Sequence, residues 1–405
     1  MINRHTGWLA YLAAVFLAAW SLVKAPEPAA FAMPPANVHG AEQKPLIQSE
    51  FISGGLTTEV HGATAVELAN GEIGVFWYAG RREGSSDVAI FSRFLQKKRD
   101  DQANATWSEI RRVAGRTESR DGLERHIRKV GNPLVLYHQN KLWLFYVTVS
   151  FGGWAASSIN LIQSDDNGRS WSTPKRLITS PFINISTLVK ERALTTQDGG
   201  ILLPVYHEFI GKFSEILRID SQGEVVDKYR ISHGRRAIQP IVITTGRDNA
   251  VAFLRNATED AGSTILTSSS RDGGVSWQAL SALELPNPNA AISGVSLDSP
   301  NEMLLVFNND DEDRNDLTLA YAKHYASGQP LGWQIIHEFE NANRRGPDAE
   351  AFHNLYSYPY LVKTNDGDFH LFYTWQRKYI KHVFFNRAAL DEMRSSVNSR
   401  FSDKE

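Results

Sequence analysis

The chain of 405 residues is 42% hydrophobic and 22% charged, and it contains no cysteine. A formal net charge of -2 argues against a nucleic-acid or membrane-surface role that rests on bulk charge. The lack of cysteine excludes disulfides, thiolate metal sites and a lipoprotein anchor. The 12 histidines show no H-E-x-x-H spacing, and the sequence implies no metal site and no cofactor.

The N-terminus predicts an export segment. Arg4 and His5 precede an uncharged, mostly apolar run at residues 6–23, which Lys24 ends. At roughly 18 residues the run is just long enough to remain as a membrane anchor. Ala30-Phe31-Ala32 fits an A-x-A cleavage site, so both a cleaved signal peptide and a signal anchor stay open. We expect an extracytoplasmic protein, periplasmic or secreted, that meets a membrane only through this segment.

Six similar modules follow from about Phe51 onward, and the sequence predicts no helix among them. Each module is a strand, a tight polar turn and a second, more apolar strand. The turns have their apexes at Gly71, Asn140, Gly199, Asp248, Asn301 and Gly367. A repeat of this kind is typical of the four-stranded blades of a β-propeller, whereas a β-sandwich with long insertions would not explain the regularity. We expect Phe51 to Gly55 to add an outer strand to the last blade and so close the ring.

Two turns carry a more specific mark. Residues Ser164 to Trp171 and Ser270 to Trp277 both satisfy S-x-D-x-G-x-x-W, the Asp-box. In such a turn the Asp side chain accepts amide hydrogens, Gly permits a positive φ, and Trp packs beneath the hairpin. Residues 103–107 and 328–333 look like decayed copies. An Asp-box identifies a fold and not a chemistry.

The chain resembles the sialidase (neuraminidase) superfamily, in particular bacterial BNR-repeat exo-α-sialidase-like proteins, from roughly His61 to Asn386. Besides the Asp-boxes, the resemblance rests on WYAGRREGSSDVAIFSR, GNPLVL with LWLFYV, GGILLPVYHE, the Gln239-Pro240 pair, LPNPN, and YSYPYLV with HLFYTW. It implies an all-β, six-bladed, sialidase-like propeller behind a hydrophobic export or anchor segment. The predicted organisation is 1–24 signal peptide or signal anchor, 25–50 Ala/Pro-rich spacer, 51–390 propeller and 391–405 polar tail.

Propeller topology sorts the candidate site residues onto one face. Loops that enter the innermost strand and loops that leave the second strand of each blade meet there. This face is rich in arginine, carboxylate and aromatic residues, which suits an anionic sugar. The predicted substrate-binding residues are Arg81, Glu83, Asn132, Trp154, Arg192, Tyr206, Gln239, Arg255, Arg314, Tyr358 and Trp375.

The resemblance also implies catalytic roles. Sialidases bind the substrate carboxylate with three arginines and use a tyrosine nucleophile, a glutamate that activates it and an aspartate as acid/base. By position, the tyrosine matches Tyr356, the glutamate Glu208 and the aspartate Asp87, with Tyr358 and Asp121 as alternatives. The motif that carries the first arginine is absent, and His61 stands there instead, either as a general base or as part of the channel wall.

Three functions remain open. The leading prediction is an exo-acting glycoside hydrolase of the sialidase type on an acidic sugar of a surface or extracellular glycan. The alternatives are a polysaccharide lyase acting on a uronate and a non-catalytic propeller that binds glycan or protein in the cell envelope. The expected partner is therefore an acidic glycan or polysaccharide, and not nucleic acid.

Overall fold

The structure is a computed structural model that describes residues 29–33, 43–98, 101–180, 184, 186–234, 236–299, 301–323, 332–342 and 355–402, with positions 8, 11–13 and 15. Its strands form six antiparallel sheets of four or five strands each. The innermost strands of successive sheets contact one another around a closed ring. The predicted all-β, six-bladed propeller is confirmed.

The first three blades follow one another along the chain. Blade 1 contains β2 (Glu59–Glu67), β3 (Ile73–Gly80), β4 (Ala89–Lys98), β5 (Asp101–Trp107) and β6 (Arg111–Gly115). Blade 2 contains β7 (Lys129–His138), β8 (Lys141–Val149), β9 (Ser157–Ser164) and β10 (Lys175–Arg176). Blade 3 contains β11 (Leu188–Val189), β12 (Leu194–Thr195), β13 (Ile201–His207), β14 (Phe213–Ile219) and β15 (Val225–Arg230).

The remaining blades complete the ring. Blade 4 contains β16 (Ala237–Thr244), β17 (Ala250–Asn256), β18 (Thr264–Ser270) and β19 (Ser281–Pro286). Blade 5 contains β20 (Ser293–Ser296), β21 (Glu302–Phe307), β22 (Asp316–Lys323) and β23 (Trp333–Asn341). Blade 6 contains β24 (Tyr356–Lys363), β25 (Phe369–Trp375), β26 (Tyr379–Phe385) and, from near the start of the chain, β1 (Ile47–Phe51).

The apolar core lies between blades. Each seam between neighbouring blades holds its own cluster of buried apolar side chains, six clusters in all among the described residues. The strands that form these seams are buried along most of their length, β3 being buried at every position. Burial of this apolar surface is the main stabilising contribution to the ring.

The Asp-box turns have the expected structural role. In the first one, Asp166 Oδ1 accepts the main-chain hydrogens of Arg169 and Ser170 at 3.0 and 2.9 Å. Gly168 has a φ of 82°, a region that suits glycine. Trp171 packs edge-on against Phe76 of the preceding blade. The turn therefore fixes a seam and not a binding site.

The strand that closes the ring lies earlier than predicted. Residues Ile47–Phe51 pair with β26, with Ile47 opposite Phe385, so the prediction of Phe51 to Gly55 was wrong. The strand cannot continue, because Gly54 and Gly55 have φ values of 63° and 66°. The predicted spacer at 25–50 thus supplies a strand of the propeller.

Two helices were not predicted. Helix α1 (Arg116–Leu123) lies in the connection from blade 1 to blade 2. Helix α2 (Arg387–Ser402) replaces most of the predicted polar tail at 391–405, and it packs Leu390 and Met393 on the seam between blades 5 and 6. It starts after Asn386, whose side-chain oxygen accepts the main-chain hydrogen of Ala389 at 2.9 Å.

The predicted export segment is described only at positions 8, 11–13 and 15, which are helical, so that prediction lies largely outside the described residues. Among the residues that the structure describes, no helix has both the length and the apolar character needed to span a membrane.

Candidate active site

The inner strands bend where they meet the channel mouth. Pairing between the first two strands shifts register in four blades, after His61, Gly131, Ile238 and Ser357. A residue with positive φ lies in each bulge, namely Gly62, Asn132, Gln239 and Tyr358, with φ values of 60°, 43°, 50° and 54°. A bulge re-aims side chains, and a non-glycine residue in this region costs on the order of 1–3 kcal/mol. The fold therefore tolerates strain to present these side chains.

A hydrogen-bonded network of amides surrounds the buried Tyr206 hydroxyl. It accepts hydrogen bonds from Asn132 Nδ2 at 3.2 Å and from Gln239 Nε2 at 3.3 Å. Gln239 Oε1 in turn accepts one from Arg255 Nη1 at 3.1 Å. Burial, with the nearby charge of Glu208, raises the pKa of Tyr206 far above its usual range. Tyr206 is therefore a neutral anchor that links blades 2, 3 and 4.

Two arginines meet at Asn289, in the connection between blades 4 and 5. Arg255 Nε donates to Asn289 Oδ1 at 2.9 Å, and Arg314 Nη2 donates to the main-chain oxygen of the same residue at 2.6 Å. Neither guanidinium forms an ion pair with any carboxylate of the described residues. Burial, followed by the charge on Arg255, lowers the pKa of Arg314 to about 10. Two positive charges that have no paired anion among the described residues, and that are hydrogen-bonded to Asn289 and Gln239, form a site prepared for an anion.

Tyr358 lies beside these arginines and against His61. The rings of His61 and Tyr358 meet edge-on, with centroids 4.4 Å apart, while His61 Nδ1 lies 3.1 Å from Thr374 Oγ1. His61 is only 4% exposed, and burial lowers its pKa to about 3, which Glu83 offsets only in part. His61 is therefore neutral at physiological pH. Tyr358 is half-buried and lines a small pocket together with Asn132 and Lys190.

A carboxylate and a third arginine complete the cluster. Glu83 accepts hydrogen bonds from Tyr78 at 3.3 Å and from Arg377 Nη1 at 3.0 Å. Burial alone would raise the pKa of Glu83, but the charge and hydrogen bond of Arg377, together with the hydrogen bond from Tyr78, hold it below its usual range. Glu83 is thus an ionised group that neutralises Arg377 and is not a proton donor.

A buried lysine spans the channel below the cluster. Lys190 Nζ donates to the main-chain oxygens of Pro359 at 2.7 Å and Ile292 at 3.4 Å, and it is paired with Glu191. The side chains of Lys190 and Glu191 are 4% and 0% exposed. Burial raises the pKa of Glu191, against the lowering effect of Lys190. Lys190 thereby ties the Tyr358-Pro359 bulge to blades 3 and 5. A small pocket is lined by Gly62, Ala63, Thr64, Asn132, Pro133, Lys190 and Tyr358.

Eight of the predicted site residues converge in this cluster: His61, Glu83, Asn132, Tyr206, Gln239, Arg255, Arg314 and Tyr358. Trp154 lies on the rim, where Lys129 Nζ is 4.0 Å from its ring centroid. Whether these residues bind or transform a ligand stays a prediction.

Tyr356 is not at the channel. It is fully buried in the seam between blades 5 and 6, where its ring meets Tyr373 edge-on at 6.5 Å. Because Tyr358 lies in a bulge, the chain brings Tyr358 and not Tyr356 to the mouth. Trp375 likewise packs away from the cluster, against Phe51 of the closing strand at 5.2 Å.

Asp87 and Arg81 pair with each other instead of reaching the cluster. Their ion pair, at 3.1 Å, lies in an exposed turn. The hydrogen bond from Ser85 is the main reason that the pKa of Asp87 falls to about 2. A carboxylate this acidic is ionised at neutral pH, so this geometry does not support the predicted acid role of Asp87, which stays a prediction.

Glu208 and Arg192 also make contacts other than those that their predicted roles require, and those roles stay predictions. The Glu208 carboxylate lies near Tyr206, but among the described residues it makes no hydrogen bond to Tyr358. The guanidinium of Arg192 donates to the Leu361 main chain and lies over the Tyr360 ring, away from the other arginines. Tyr78 and Lys190 were not predicted; the charged run Lys190-Glu191-Arg192 inside an apolar stretch was an available signal.

The fold defines a class: the described chain is a sialidase-like six-bladed propeller. It is similar to the NanB sialidase of Streptococcus pneumoniae (TM-score 0.65, 10% identity, 92% of this chain and 72% of that chain covered). It is also similar to the intramolecular trans-sialidase from Ruminococcus gnavus (0.63, 12%, 84% and 97%) and to a Hadza microbial sialidase (0.62, 15%, 80% and 65%). The chain thus spans slightly less than two thirds of the Hadza enzyme. At these identities the likeness shows the fold alone.

The sequence matches the model of the BNR repeat-like domain over residues 71–371, so the chain belongs to that family. The resemblance drawn from the sequence is confirmed at this level. No curated protein has a matching sequence.

Proposed function

We propose that the channel mouth binds the carboxylate of an acidic sugar at the end of a glycan and that the protein hydrolyses that sugar in the manner of a sialidase. The observation that carries the proposal is the pair Arg255 and Arg314, which lie beside Tyr358 without a carboxylate partner among the described residues. A bound carboxylate would fill this gap, because arginine forks bind carboxylates with charge-assisted hydrogen bonds. The sialidase activity of the similar structures supports the same sugar class.

In this proposal Tyr358 is the nucleophile in place of Tyr356. Its phenolic oxygen attacks the anomeric carbon, the bond to the leaving group breaks, and water later releases the sugar. In this proposal His61, whose ring lies edge-on to Tyr358, takes up the phenol proton. The charges of Arg377, Arg314 and Arg255 help to keep the pKa of His61 low. A bound carboxylate would offset them and make His61 a better base.

A uronate lyase is the second candidate, and one observation favours it. Amides, not carboxylates, flank the arginines: Gln239 bonds Arg255, and Asn132 bonds Tyr206 beside it. Glu83 is ionised and Asp87 lies elsewhere, so a hydrolase lacks an obvious acid for its leaving group. In elimination, arginine and amide groups neutralise the uronate carboxylate while Tyr358 or His61 takes the neighbouring proton.

Product analysis separates these candidates. The purified protein is incubated with a fluorogenic sialoside and with uronate polymers, and release of fluorophore or appearance of an unsaturated, ultraviolet-absorbing uronate is followed. Tyr358→Phe is expected to abolish the activity, whereas Tyr356→Phe, buried in the seam, is the matched control that retains it. Turnover that survives in Tyr358→Phe contradicts the proposal. Binding without turnover on a glycan array identifies a non-catalytic glycan receptor.

We also propose that the protein works outside the cytoplasm. The basic start and the apolar run at residues 6–23 support export, and an acidic surface or extracellular glycan would be met there.

A further inference from the structure

Residues 29–33, which we call the N-terminal clasp, lie against the propeller between blades 3 and 4. Phe31 is fully buried within the apolar cluster of that seam. Its main-chain N–H donates to the Arg247 oxygen at 2.7 Å, and that of Ala32 donates to the Thr195 oxygen at 2.8 Å. Gln197 N–H donates to the Ala30 oxygen at 2.9 Å. The clasp is thus fixed both by backbone hydrogen bonds and by an anchored ring.

Phe31 occupies a position that, in the two preceding seams, is occupied by a side chain of the preceding blade. A β-carbon added to Gly168, in the outer turn of blade 2, would lie 2.7 Å from Phe94 of blade 1. One added to Gly223 of blade 3 would lie 2.7 Å from Leu161 of blade 2. A β-carbon added to Gly274 of blade 4 would lie 3.5 Å from Phe31 Cζ of the clasp and 3.6 Å from Ile216 Cδ1 of blade 3. The fully buried aromatic ring of this cluster therefore comes from the clasp, while Tyr229 and Trp277 pack against it as partly buried rings.

The clasp lies on the face opposite the candidate site. Its partners Gln197 and Arg247 belong to the turns that join the inner strand to the second strand in blades 3 and 4, and Thr195 ends the strand before the first of these turns. From there, β13 runs about 17 Å, at about 3.3 Å per residue, before it delivers Tyr206 to the channel mouth. One strand length thus separates the clasp from the site.

We propose that the clasp is a permanent part of the folded protein, that residues 6–23 stay attached to it as a membrane anchor, and that the candidate site faces away from the membrane. Cleavage at Ala30-Phe31-Ala32 would remove the buried ring and open the seam. Residues 24–28, at most about 3.5 Å each, are too few to lead the apolar run around a blade to the other face. The membrane therefore lies on the clasp side.

The clasp is tested in the full chain, exported by a bacterial host. We expect the intact mass of the membrane-bound protein to include the residues before Ala30. We expect Phe31→Ala to lower the Tm by several degrees, because it empties a buried position, and Met33→Ala, a partly exposed neighbour, to leave it unchanged. A product that begins at Met33, a product found only in the soluble fraction, or an unchanged Tm for Phe31→Ala overturns the proposal.

The orientation is tested with single labels, which the absence of cysteine makes possible. Ile210→Cys places a fluorophore on the site face, in the connection after β13, and Asn365→Cys places one in the turn after β24 on the clasp face. In vesicles with an acceptor lipid, energy transfer is expected to be stronger for Asn365→Cys. Equal transfer, or stronger transfer for Ile210→Cys, refutes the orientation. Neither readout uses turnover, so a failed activity assay leaves this proposal standing and its own failure leaves the proposed activity standing.

Discussion

Replacing Arg314 by methionine should make the ligand-free protein more stable and less able to bind. The pKa of Arg314 is about 10 in the folded protein and 12.5 without the fold, so at pH 7 the charged side chain favours the unfolded chain. At about 1.4 kcal/mol per pKa unit, this cost is on the order of 3 kcal/mol. The lost hydrogen bond to the Asn289 oxygen costs about 1 kcal/mol. We therefore expect Arg314→Met to raise the free energy of unfolding by about 2 kcal/mol.

Two measurements on Arg314→Met check this reasoning. Urea unfolding at pH 7 gives the stability, and titration with the acidic sugar identified in the product assay gives the affinity. Affinity should fall by about tenfold to a hundredfold, since a hydrogen bond to a charged group contributes about 1.5–3 kcal/mol. Arg271→Met, an exposed arginine of the second Asp-box turn, is the control and should change neither. A destabilised variant with unchanged affinity would refute an unpaired, ligand-binding role for Arg314.

Three further predictions concern titratable groups. Lys190→Met should destabilise the protein by about 3–5 kcal/mol at neutral pH. Because burial raises the pKa of Glu191, the variant should regain part of this stability as the pH falls and Glu191 is protonated. A loss of stability that urea unfolding shows to be independent of pH would contradict the pairing. Below about pH 6.5, the ordinary pKa of histidine, His61 binds a proton in the unfolded chain but not in the folded protein, so acid destabilises the wild type. The His61→Gln variant should therefore lose less stability in acid than the wild type. Equal losses of stability would argue against a neutral His61. Hydrogen bonds, chiefly from Ser170, lower the pKa of Asp166, so the stabilisation is present above about pH 4 and is lost on acidification. The Tm difference between wild type and Asp166→Asn should narrow in acid, and a constant difference would be the contrary result.

The fold could be predicted because its signals are local. Each hairpin has its turn residues between two apolar strands, and each Asp-box is complete within eight residues. Two features depend on distant contacts and were missed. The closing strand at Ile47–Phe51 is defined by pairing with β26, far along the chain. Helix α2 has a mostly polar sequence, and only a few residues such as Leu390 are buried on a seam that no local pattern reveals.

The sequence was enough to predict which face of the propeller carries the site residues, but not which of their side chains contact one another. Topology placed Arg255, Arg314 and Gln239 on the channel side, and they do converge. Strand alternation cannot separate Tyr356 from Tyr358, because a regular strand turns both to one side. The bulge at Tyr358, followed by Pro359, separates them. The same residue-proline pairing in Asn132-Pro133 and Gln239-Pro240 was visible as a recurring signal.

The left-handed bulges also limit which chemical groups the channel mouth can acquire. Asn, Asp, His and Gly enter this backbone region far more easily than β-branched residues do. Substitutions at positions 62, 132, 239 and 358 are therefore confined to a small set of residue types, rich in amide and ring side chains. Variant libraries designed to redirect the protein to another ligand should use these residue types first. A valine or isoleucine at these positions would strain the backbone of the blade and so disturb the fold as well as the selectivity.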